Sequence, residues 1–197
     1  MAIKKNAAVL AETVPGPTIE KFANLALRLQ CWLAFGLITR SKGFSHFHNS
    51  QVLLSPTGDI AAKYDKRNLY GPDWKWAEPG KNQYISVQTE FGRIGLGICY
   101  DINFSELWDF LAKWVDIFAF STNWVDDSSP LPLWQAVSRY AGVHLVAANN
   151  WGREQSVNFT GESAIISPDR GILAACGAET DAVIVYEIPV FSHPLQL

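Results

Sequence analysis

The fold is decided by the stretch Gly92-Arg-Ile-Gly-Leu-Gly-Ile-Cys99-Tyr-Asp-Ile-Asn-Phe-Ser-Glu106. Residues 94–98 carry no polar face, which predicts a strand buried on both sides that ends at Cys99. Ser105 can cap a helix that runs to about Trp114. A buried strand that leads directly into a helix is typical of α/β proteins, in which helices cover a largely apolar sheet.

The rest of the chain continues this alternation of helices and strands. Helices are predicted at residues 17–30 and 130–141. Strands are predicted at residues 32–38, 50–54, 60–64, 84–88, 115–120, 143–148, 163–166, 172–175 and 182–188. Turns are predicted at residues 41–44, 55–58, 90–93 and 167–171, and the stretch 66–80 reads as an irregular, aromatic loop of functional importance. The pattern predicts one α/β domain over residues 1–197, with a mixed sheet or two sheets and the helices outside.

Composition excludes several classes of protein. Of the 197 residues, 48% are hydrophobic and 18% are charged, a balance that excludes intrinsic disorder. The net charge of −3 provides no basic excess for nucleic acid. No apolar run reaches the length of a membrane span, about 18 residues. Three cysteines without a Cys-x-x-Cys pair indicate neither a disulfide framework nor a metal site, and they favour a reducing, cytoplasmic setting.

Cys99 is the residue with the most chemical information. It lies at the predicted carboxyl end of a strand, where reactive groups of α/β proteins gather. A thiol at a strand–helix junction can be activated by the helix terminus and by a nearby cation. Its position alone is equally consistent with a small hydrophobic residue of the core. For Cys31 and Cys176, packing is the favoured interpretation.

The partner of a catalytic cysteine is less clear from the residues alone. A Cys–His hydrolase needs a histidine, and the four candidates, none in a distinctive motif, are His46, His48, His144 and His193. His144 lies within a buried strand pattern and reads as a core residue. A lysine could serve instead, but Lys66 lies in a basic stretch where a solvated surface charge is the ordinary outcome. The sequence contains neither Gly-x-Ser-x-Gly nor a phosphate-binding glycine motif.

Two motifs together favour the lysine over a histidine as the partner of Cys99. The stretch from Gly92 to Glu106 resembles the nucleophile motif of the carbon–nitrogen hydrolase (nitrilase) superfamily, and Tyr64-Asp-Lys66-Arg-Asn-Leu69 resembles its lysine motif. Weaker blocks of the family follow the same order along residues 11–189. These blocks are Asn49-Ser50, Trp76-Ala-Glu-Pro-Gly80, Phe120-Ser-Thr-Asn-Trp124, Ala147-Ala-Asn-Asn150, Gly161-Glu-Ser163 and Pro168.

The resemblance implies an α-β-β-α sandwich that hydrolyses a small amide, nitrile or carbamoyl compound, without cofactor or metal. Cys99 would be the nucleophile and would form a thioester or thioimidate. Lys66 and the backbone N–H of Tyr100 would stabilise the tetrahedral intermediate, and Asp73 is the best match to a second carboxylate of the family. Trp124 is the best candidate for the wall of the substrate pocket. The family pattern also implies a homodimer or a higher homo-oligomer.

The sequence departs from the family pattern at its start. The glutamate that acts as general base is expected some way before the segment that begins at Ala11, and ten residues precede Ala11. We therefore expect the family's first strand, its first helix and the base to be missing. The sheet strands beside the missing strand would then expose apolar area. Glu12 follows the missing motif, and Glu20 is predicted to be solvated. The alternative function is therefore a truncated or degenerate member, catalytically impaired, that acts as an oligomerising binding module.

Smaller departures lie on the helices that line the family's dimer interface. Asp109 replaces a frequent arginine, and Arg139-Tyr140 replaces a frequent acidic–Asn pair. Ser105 also stands where a proline is usual. The first two changes predict an altered assembly.

Overall fold

The computed structural model describes residues 2–41, 46–125, 128–154 and 157–188. The chain divides between Ile85 and Ser86 into two compact units, and each is described separately below. The single domain predicted for residues 1–197 stays a prediction. Within the described ranges, no helix combines the length and apolar character that crossing a membrane requires.

The first unit combines two helices with an antiparallel sheet. Its elements are the helices Ala2–Leu10 (α1) and Pro17–Leu29 (α2) and the strands Leu33–Arg40 (β1), Phe47–Leu54 (β2) and Ile60–Asp65 (β3). The strands pair in the order β1-β2-β3. A short 3₁₀ helix, Gly71–Lys75, follows in the stretch predicted to be irregular. Most of the turn predicted at residues 41–44 falls on residues 42–45, which lie outside the described residues.

Helix α2 forms where the sequence predicts it. Pro17 occupies the first turn, where its missing N–H costs nothing, and Gln30 ends the helix in the left-handed conformation at φ 51°. One face buries Ile19 and Ala26 against the sheet residues Val52 and Leu54. This apolar contact, more than helix propensity, stabilises a helix of 13 residues.

Helix α1 is not predicted from the sequence. Its first turn carries no acidic residue and its last turn no basic one, so the usual terminal signals are missing. Tertiary packing stabilises it instead, because Ala7 and Ala11 are buried in a cluster with Phe47. The chain before Ala11 therefore contains a helix.

The second unit is built around a six-stranded sheet. The described strands of the whole second unit, two of which lie outside this sheet, are Ser86–Thr89 (β4), Gly92–Ile98 (β5), Ile117–Thr122 (β6), His144–Asn149 (β7), Trp151–Glu154 (β8), Val157–Thr160 (β9), Ala164–Ser167 (β10) and Gly171–Ala175 (β11). Among the described residues the sheet order is β11-β10-β7-β6-β5-β4, and β8 and β9 form a separate pair. Strands β5, β6 and β7 are parallel. The helices are Ser105–Trp114 (α3) and Leu131–Ala141 (α4).

Gly95 and Gly97 permit close packing around β5, the strand predicted to be buried on both sides. A Cβ atom at Gly95 would lie 2.5 Å from a methyl carbon of Val115, and one at Gly97 would lie 2.7 Å from the ring of Phe118. The residues from Ile94 to Ile98 are all buried, as predicted. These glycines therefore serve close packing.

Three features of the second unit differ from the sequence predictions. Ser105 is the first residue of α3, and Phe104 occupies the capping position without a side-chain hydrogen bond, so the predicted Ser105 cap is wrong. The pair β8–β9 was not predicted, because its short, largely exposed strands lack an apolar alternation. The strand predicted at residues 182–188 is absent from the described sheets. Val183 and Val185 there are 92% and 84% exposed, so β propensity without a neighbouring edge formed no strand.

Candidate active site

Cys99 lies on a sharp turn at the carboxyl end of β5. Its φ is +44°, a left-handed conformation that a residue with a Cβ adopts at a cost of about 1–3 kcal/mol. It is the first residue of a 3₁₀ helix, Cys99–Asn103, and it is partly exposed. Strain at a partly exposed thiol is a feature of functional sites rather than of a cysteine that only fills the core.

The turn is held by Asp101, which is fully buried. Its carboxylate accepts a hydrogen bond from the backbone N–H of Ile98 at 3.1 Å, and its carbonyl accepts one from Phe104 at 3.2 Å. Tyr100 follows Cys99 in this turn, with its ring edge-on to Phe104 at 5.4 Å. Asp101 therefore fixes the backbone on both sides of Cys99 and Tyr100.

The carboxyl ends of β6 and β7 lie beside that of β5, because the three strands are parallel. The loop after β6 reaches Cys99 directly, since the sulfur lies 3.8 Å from the carbonyl oxygen of Asn123, within range of a weak S–H···O bond. The N–H of Trp124 donates to the side-chain oxygen of Asn149 at 2.9 Å. Three of the family-like blocks thus converge at one sheet edge.

Asn149 links this edge to the following loop. Its backbone N–H donates to the hydroxyl of Ser163 at 2.9 Å, and its side-chain NH₂ donates to Thr160 at 3.3 Å and to the carbonyl of Gly161. The sequence placed Asn149 and Ser163 in family-like blocks but assigned them no role. Apart from those blocks, the signal of a role at this edge was the position of Asn149 at the carboxyl end of β7.

Trp124 packs its ring against the interior of the second unit. The ring lies edge-on to Trp134 at 6.1 Å, and Trp134 is fully buried on α4. The indole nitrogen of Trp124 is buried and has no hydrogen-bond partner among the described residues. Trp124 therefore contributes to packing as well as to the loop beside Cys99.

Three further tryptophans, Trp74, Trp76 and Trp151, are at least partly exposed. Trp74 is 64% exposed, and Trp151 is 41% exposed with its indole N–H donating to Asp181 at 2.6 Å. Trp76 packs against the small cluster of Ala7, Ala11 and Phe47.

Lys66 is buried in the first unit. Its side chain is 2% exposed, and its ammonium donates to Asp73 at 2.6 Å. The same Asp73 oxygen accepts a bond from the backbone N–H of Tyr70 at 3.1 Å. The interpretation of Lys66 as an ordinary surface charge is therefore wrong. Its partner is Asp73, the residue matched to a second carboxylate of the family, and the sequence did not predict this pairing.

The backbone of Lys66 is held on both sides. Its N–H donates to the carbonyl of Asn49, and its carbonyl accepts from the N–H of Gly80, both at 2.8 Å. A Cβ atom at Gly80 would overlap the carbonyl oxygen of Asp65. The family-like blocks at Asn49 and at Gly80 therefore support the lysine.

Neither glutamate near the start of the chain acts at this lysine in the described structure. The Glu12 carboxylate accepts bonds from the N–H and the hydroxyl of Thr18 at 2.8 and 2.6 Å, at the first turn of α2. An anion there stabilises the helix. Glu20 is exposed, as predicted.

The structure argues against His144 as a partner of Cys99. His144 begins β7 and lies level with Ile94 in the parallel sheet, five residues before Cys99. At about 3.3 Å per residue this separates them by roughly 16 Å. The Cys–His interpretation with His144 is therefore wrong, whereas its burial as a core residue is confirmed.

The remaining histidines lie elsewhere. In the first unit, His46 pairs with the carboxylate of Glu78, and a ring nitrogen of His48 lies 3.1 Å from the Glu78 carbonyl oxygen. His193 lies outside the described residues. The structure thus brings Lys66 together with Asp73 in the first unit, and Cys99 and Tyr100 together with the Trp124 loop in the second.

The fold has clear counterparts among solved structures. An amidase from Nesterenkonia has a TM-score of 0.74 and 25% identity, covering 82% of this chain and 64% of the amidase. One structure of that amidase shows the result of Michael addition of acrylamide at its active-site cysteine. The nitrilase-like α/β class predicted from the sequence is confirmed.

The chain belongs to the carbon–nitrogen hydrolase family, whose model matches residues 4–191. A probable nitrilase of Schizosaccharomyces pombe is 28% identical over 179 residues, covering 88% of this chain and 65% of the relative. The human omega-amidase is 27% identical over 191 residues, covering 89% of this chain and 67% of the omega-amidase. The chain therefore spans about two thirds of the length of these relatives.

Proposed function

We propose that this protein hydrolyses the carbon–nitrogen bond of small, non-peptide amides, with Cys99 as the nucleophile. The observation that carries the proposal is the left-handed turn of Cys99 at the carboxyl end of a central parallel strand. Such a turn projects the residue beyond the sheet edge, where substrates reach α/β proteins. Membership of the carbon–nitrogen hydrolase family supports the same reaction class.

The proposed reaction has two steps. In the first, the Cys99 sulfur bonds to the acyl carbon, the carbon–nitrogen bond breaks, and the thiol proton leaves with the amine. In the second, water adds to the thioester, the carboxylic acid departs, and the sulfur recovers a proton. With a nitrile, the same attack gives a thioimidate.

Lys66 and Tyr100 have the supporting roles. The Lys66 ammonium and the Tyr100 N–H stabilise the negative charge that develops on the substrate oxygen. Asp73 fixes the ammonium through its 2.6 Å hydrogen bond. These assignments require Lys66 and Cys99 to act on one substrate, which the variants below test.

The relatives favour amides within the wider set of amide, carbamoyl and nitrile substrates. They include an omega-amidase and deaminated glutathione amidases, the latter 26% identical in mouse. A structure of the Nesterenkonia amidase contains butyramide. We therefore expect a short aliphatic amide to be turned over faster than the matching nitrile or carbamoyl compound.

The direct experiment measures ammonia released from butyramide. Cys99→Ala should lower kcat/KM by about three orders of magnitude or more, since a lost nucleophile is rarely replaced. Lys66→Met should lower it about 100- to 1000-fold. Cys176→Ala is the matched control and should stay within about twofold of the unchanged protein. An unchanged protein that releases no ammonia from any of the three substrate classes overturns the proposal and favours an impaired binding module.

We also propose a homo-oligomer that associates through α3 and α4. These helices expose Trp114 (46%) and Tyr140 (60%). The two departures from the family pattern touch each other, because the Tyr140 hydroxyl donates to Asp109 at 2.9 Å, which raises the pKa of Tyr140. Light scattering coupled to size-exclusion chromatography should give a mass above that of one chain, and a single-chain mass contradicts the proposal.

A cytoplasmic location stays a prediction from the cysteine content.

A further inference from the structure

One peptide group separates Asn149 from Cys99. The peptide that joins Asn123 to Trp124 directs its carbonyl at the Cys99 sulfur, 3.8 Å away. It directs its N–H at the side-chain oxygen of Asn149, 2.9 Å away. Because a peptide group is planar and its N–H and C=O point in opposite directions, fixing one end fixes the other.

Asn149 is itself firmly oriented. Its amide NH₂ donates to Thr160 and to the carbonyl of Gly161, so the oxygen can only face the opposite side, toward Trp124. Its backbone N–H and carbonyl both bond to the hydroxyl of Ser163, at 2.9 and 3.2 Å. The Asn149 side chain at the end of β7 therefore directs its amide oxygen toward one donor, the Trp124 N–H.

We propose that Asn149 is a positioning residue for the nucleophile: its side-chain oxygen holds the 123–124 peptide, whose carbonyl holds the Cys99 thiol in its attacking orientation. The proposal rests on the proposed function, because it names the residue that positions the same nucleophile. Without the Asn149 acceptor, the peptide can rotate and the sulfur loses its contact on this side.

The chain offers a matched control in the next residue. Asn150 donates from its side chain to the side-chain oxygen of Asn123 at 2.6 Å, and it is exposed. Asn150→Ala therefore removes a hydrogen bond to the same loop without touching the peptide that faces Cys99. Cys31, in the first unit, provides an internal reference thiol within every sample.

The test is the rate at which fluoroacetamide, an amide-shaped alkylating agent, modifies Cys99 relative to Cys31, read by peptide mass spectrometry. Asn149→Ala should slow the modification of Cys99 about 10- to 100-fold, as expected for a misplaced reacting group. Modification of Cys31 should be unchanged. Asn150→Ala should leave the ratio within about twofold.

A second variant separates positioning from general stability. Asn149→Asp keeps an oxygen for the Trp124 N–H but replaces the NH₂ donor, so it should retain more Cys99 reactivity than Asn149→Ala. It should nevertheless destabilise the fold, because a carboxylate oxygen then faces the Gly161 carbonyl. The Asp variant also provides the measurement if the Ala variant does not fold.

The outcomes are distinct from those of the proposed function. A Cys99-to-Cys31 ratio that is unchanged in the folded Asn149 variants overturns the positioning role, as does a ratio that falls equally in Asn149→Ala and Asn150→Ala. Butyramide hydrolysis is measured separately, with kcat expressed per alkylatable Cys99. Relative to the unchanged protein, Asn149→Ala should hydrolyse butyramide with a lower kcat and with a KM that changes by less than about twofold. Absence of hydrolysis in the unchanged protein refutes the proposed function but leaves the alkylation ratio as a valid test of Asn149.

Discussion

Lys66 carries a charge in a place where charge is costly. With 2% of its side chain exposed, it depends on Asp73, its described ionic partner. A buried ion pair contributes little relative to an apolar pair, whereas a single buried charge without its partner is strongly destabilising. The two members of the pair should therefore respond differently to neutral substitutions.

Asp73→Asn should lower the free energy of unfolding by about 3 kcal/mol, because it leaves the ammonium buried without its counter-charge. Lys66→Met should cost less, since Asp73 is 15% exposed and keeps the N–H of Tyr70 as a donor. Urea denaturation of both variants gives the comparison. Equal losses, or a larger loss for Lys66→Met, would show that the ammonium is not held as described.

His144 should make stability depend on pH. Burial lowers the pKa of His144 below its ordinary value of 6.5, the nearby Arg170 charge adds to this, and Asp169 opposes it. The unfolded chain therefore binds a proton at a pH where the folded chain does not. The free energy of unfolding should fall as the pH decreases below about 6.5 and level off below the folded pKa.

The comparison with His144→Gln isolates this effect from other titrating groups. Denaturation midpoints measured from about pH 7.5 down to pH 5 should decline less steeply for the variant than for the unchanged protein. Parallel declines in the two proteins would assign the pH dependence to other residues.

At the scale of residues, the motifs predicted roles for Cys99, Lys66 and Asp73, and those roles stay predictions. The structure places Lys66 against Asp73, a pairing that the sequence did not predict, and Cys99 on a strained turn. The setting of Lys66 could not be derived from its neighbours in sequence, because its backbone is bonded to Asn49 and Gly80, which are distant along the chain. The bonds of Asn149 are likewise nonlocal.

At the scale of elements, Gly80 supports the segment that carries Lys66. Its N–H bonds to the Lys66 carbonyl, and no Cβ fits beside Asp65. Gly80→Ala should therefore displace the lysine backbone and reduce butyramide turnover about 10- to 100-fold.

Gly71→Ala is the control for this substitution. Gly71 begins the 3₁₀ helix of the same stretch, and a Cβ there would meet no atom within 4 Å. Its turnover should match that of the unchanged protein within about twofold. If Gly80→Ala is as active as Gly71→Ala, the close approach at Asp65 does not position Lys66.

Glu12 is expected to act on helix α2 and not on the thiol. Glu12→Gln removes an anion from the first turn and weakens the bonds to Thr18, so it should cost about 1 kcal/mol of unfolding free energy. Butyramide hydrolysis at saturating substrate should stay unchanged. A loss of hydrolysis without a loss of stability would instead give Glu12 a catalytic role.

Elements with a strong apolar pattern were predictable, and those that depend on a neighbour were not. The buried strands β5, β6 and β7 and helix α2 lie within a few residues of their predictions. Helix α1 and the pair β8–β9 lack local signals. Residues 182–188 have the composition of a strand but pair with no described strand. Whether a strand forms is therefore decided by pairing and not by propensity.

At the scale of the whole molecule, the family pattern predicted more than composition could. Hydrophobic content and charge excluded disorder and nucleic-acid binding but indicated no reaction. The two motifs and the order of the weaker blocks indicated the family, and the match over residues 4–191 confirms it. The chain spans about two thirds of the length of its relatives, so its activity must be measured on this chain and not transferred from them.

The most direct test of the central claim is acyl transfer from butyramide to hydroxylamine, which intercepts the proposed thioester on Cys99. The unchanged protein and Cys176→Ala should both form the hydroxamate, and the ammonia released should equal the sum of hydroxamate and butyric acid. Cys99→Ala should form no hydroxamate. Hydroxamate formation that survives Cys99→Ala, or that is absent from the unchanged protein while ammonia is still released, would contradict a thioester at Cys99.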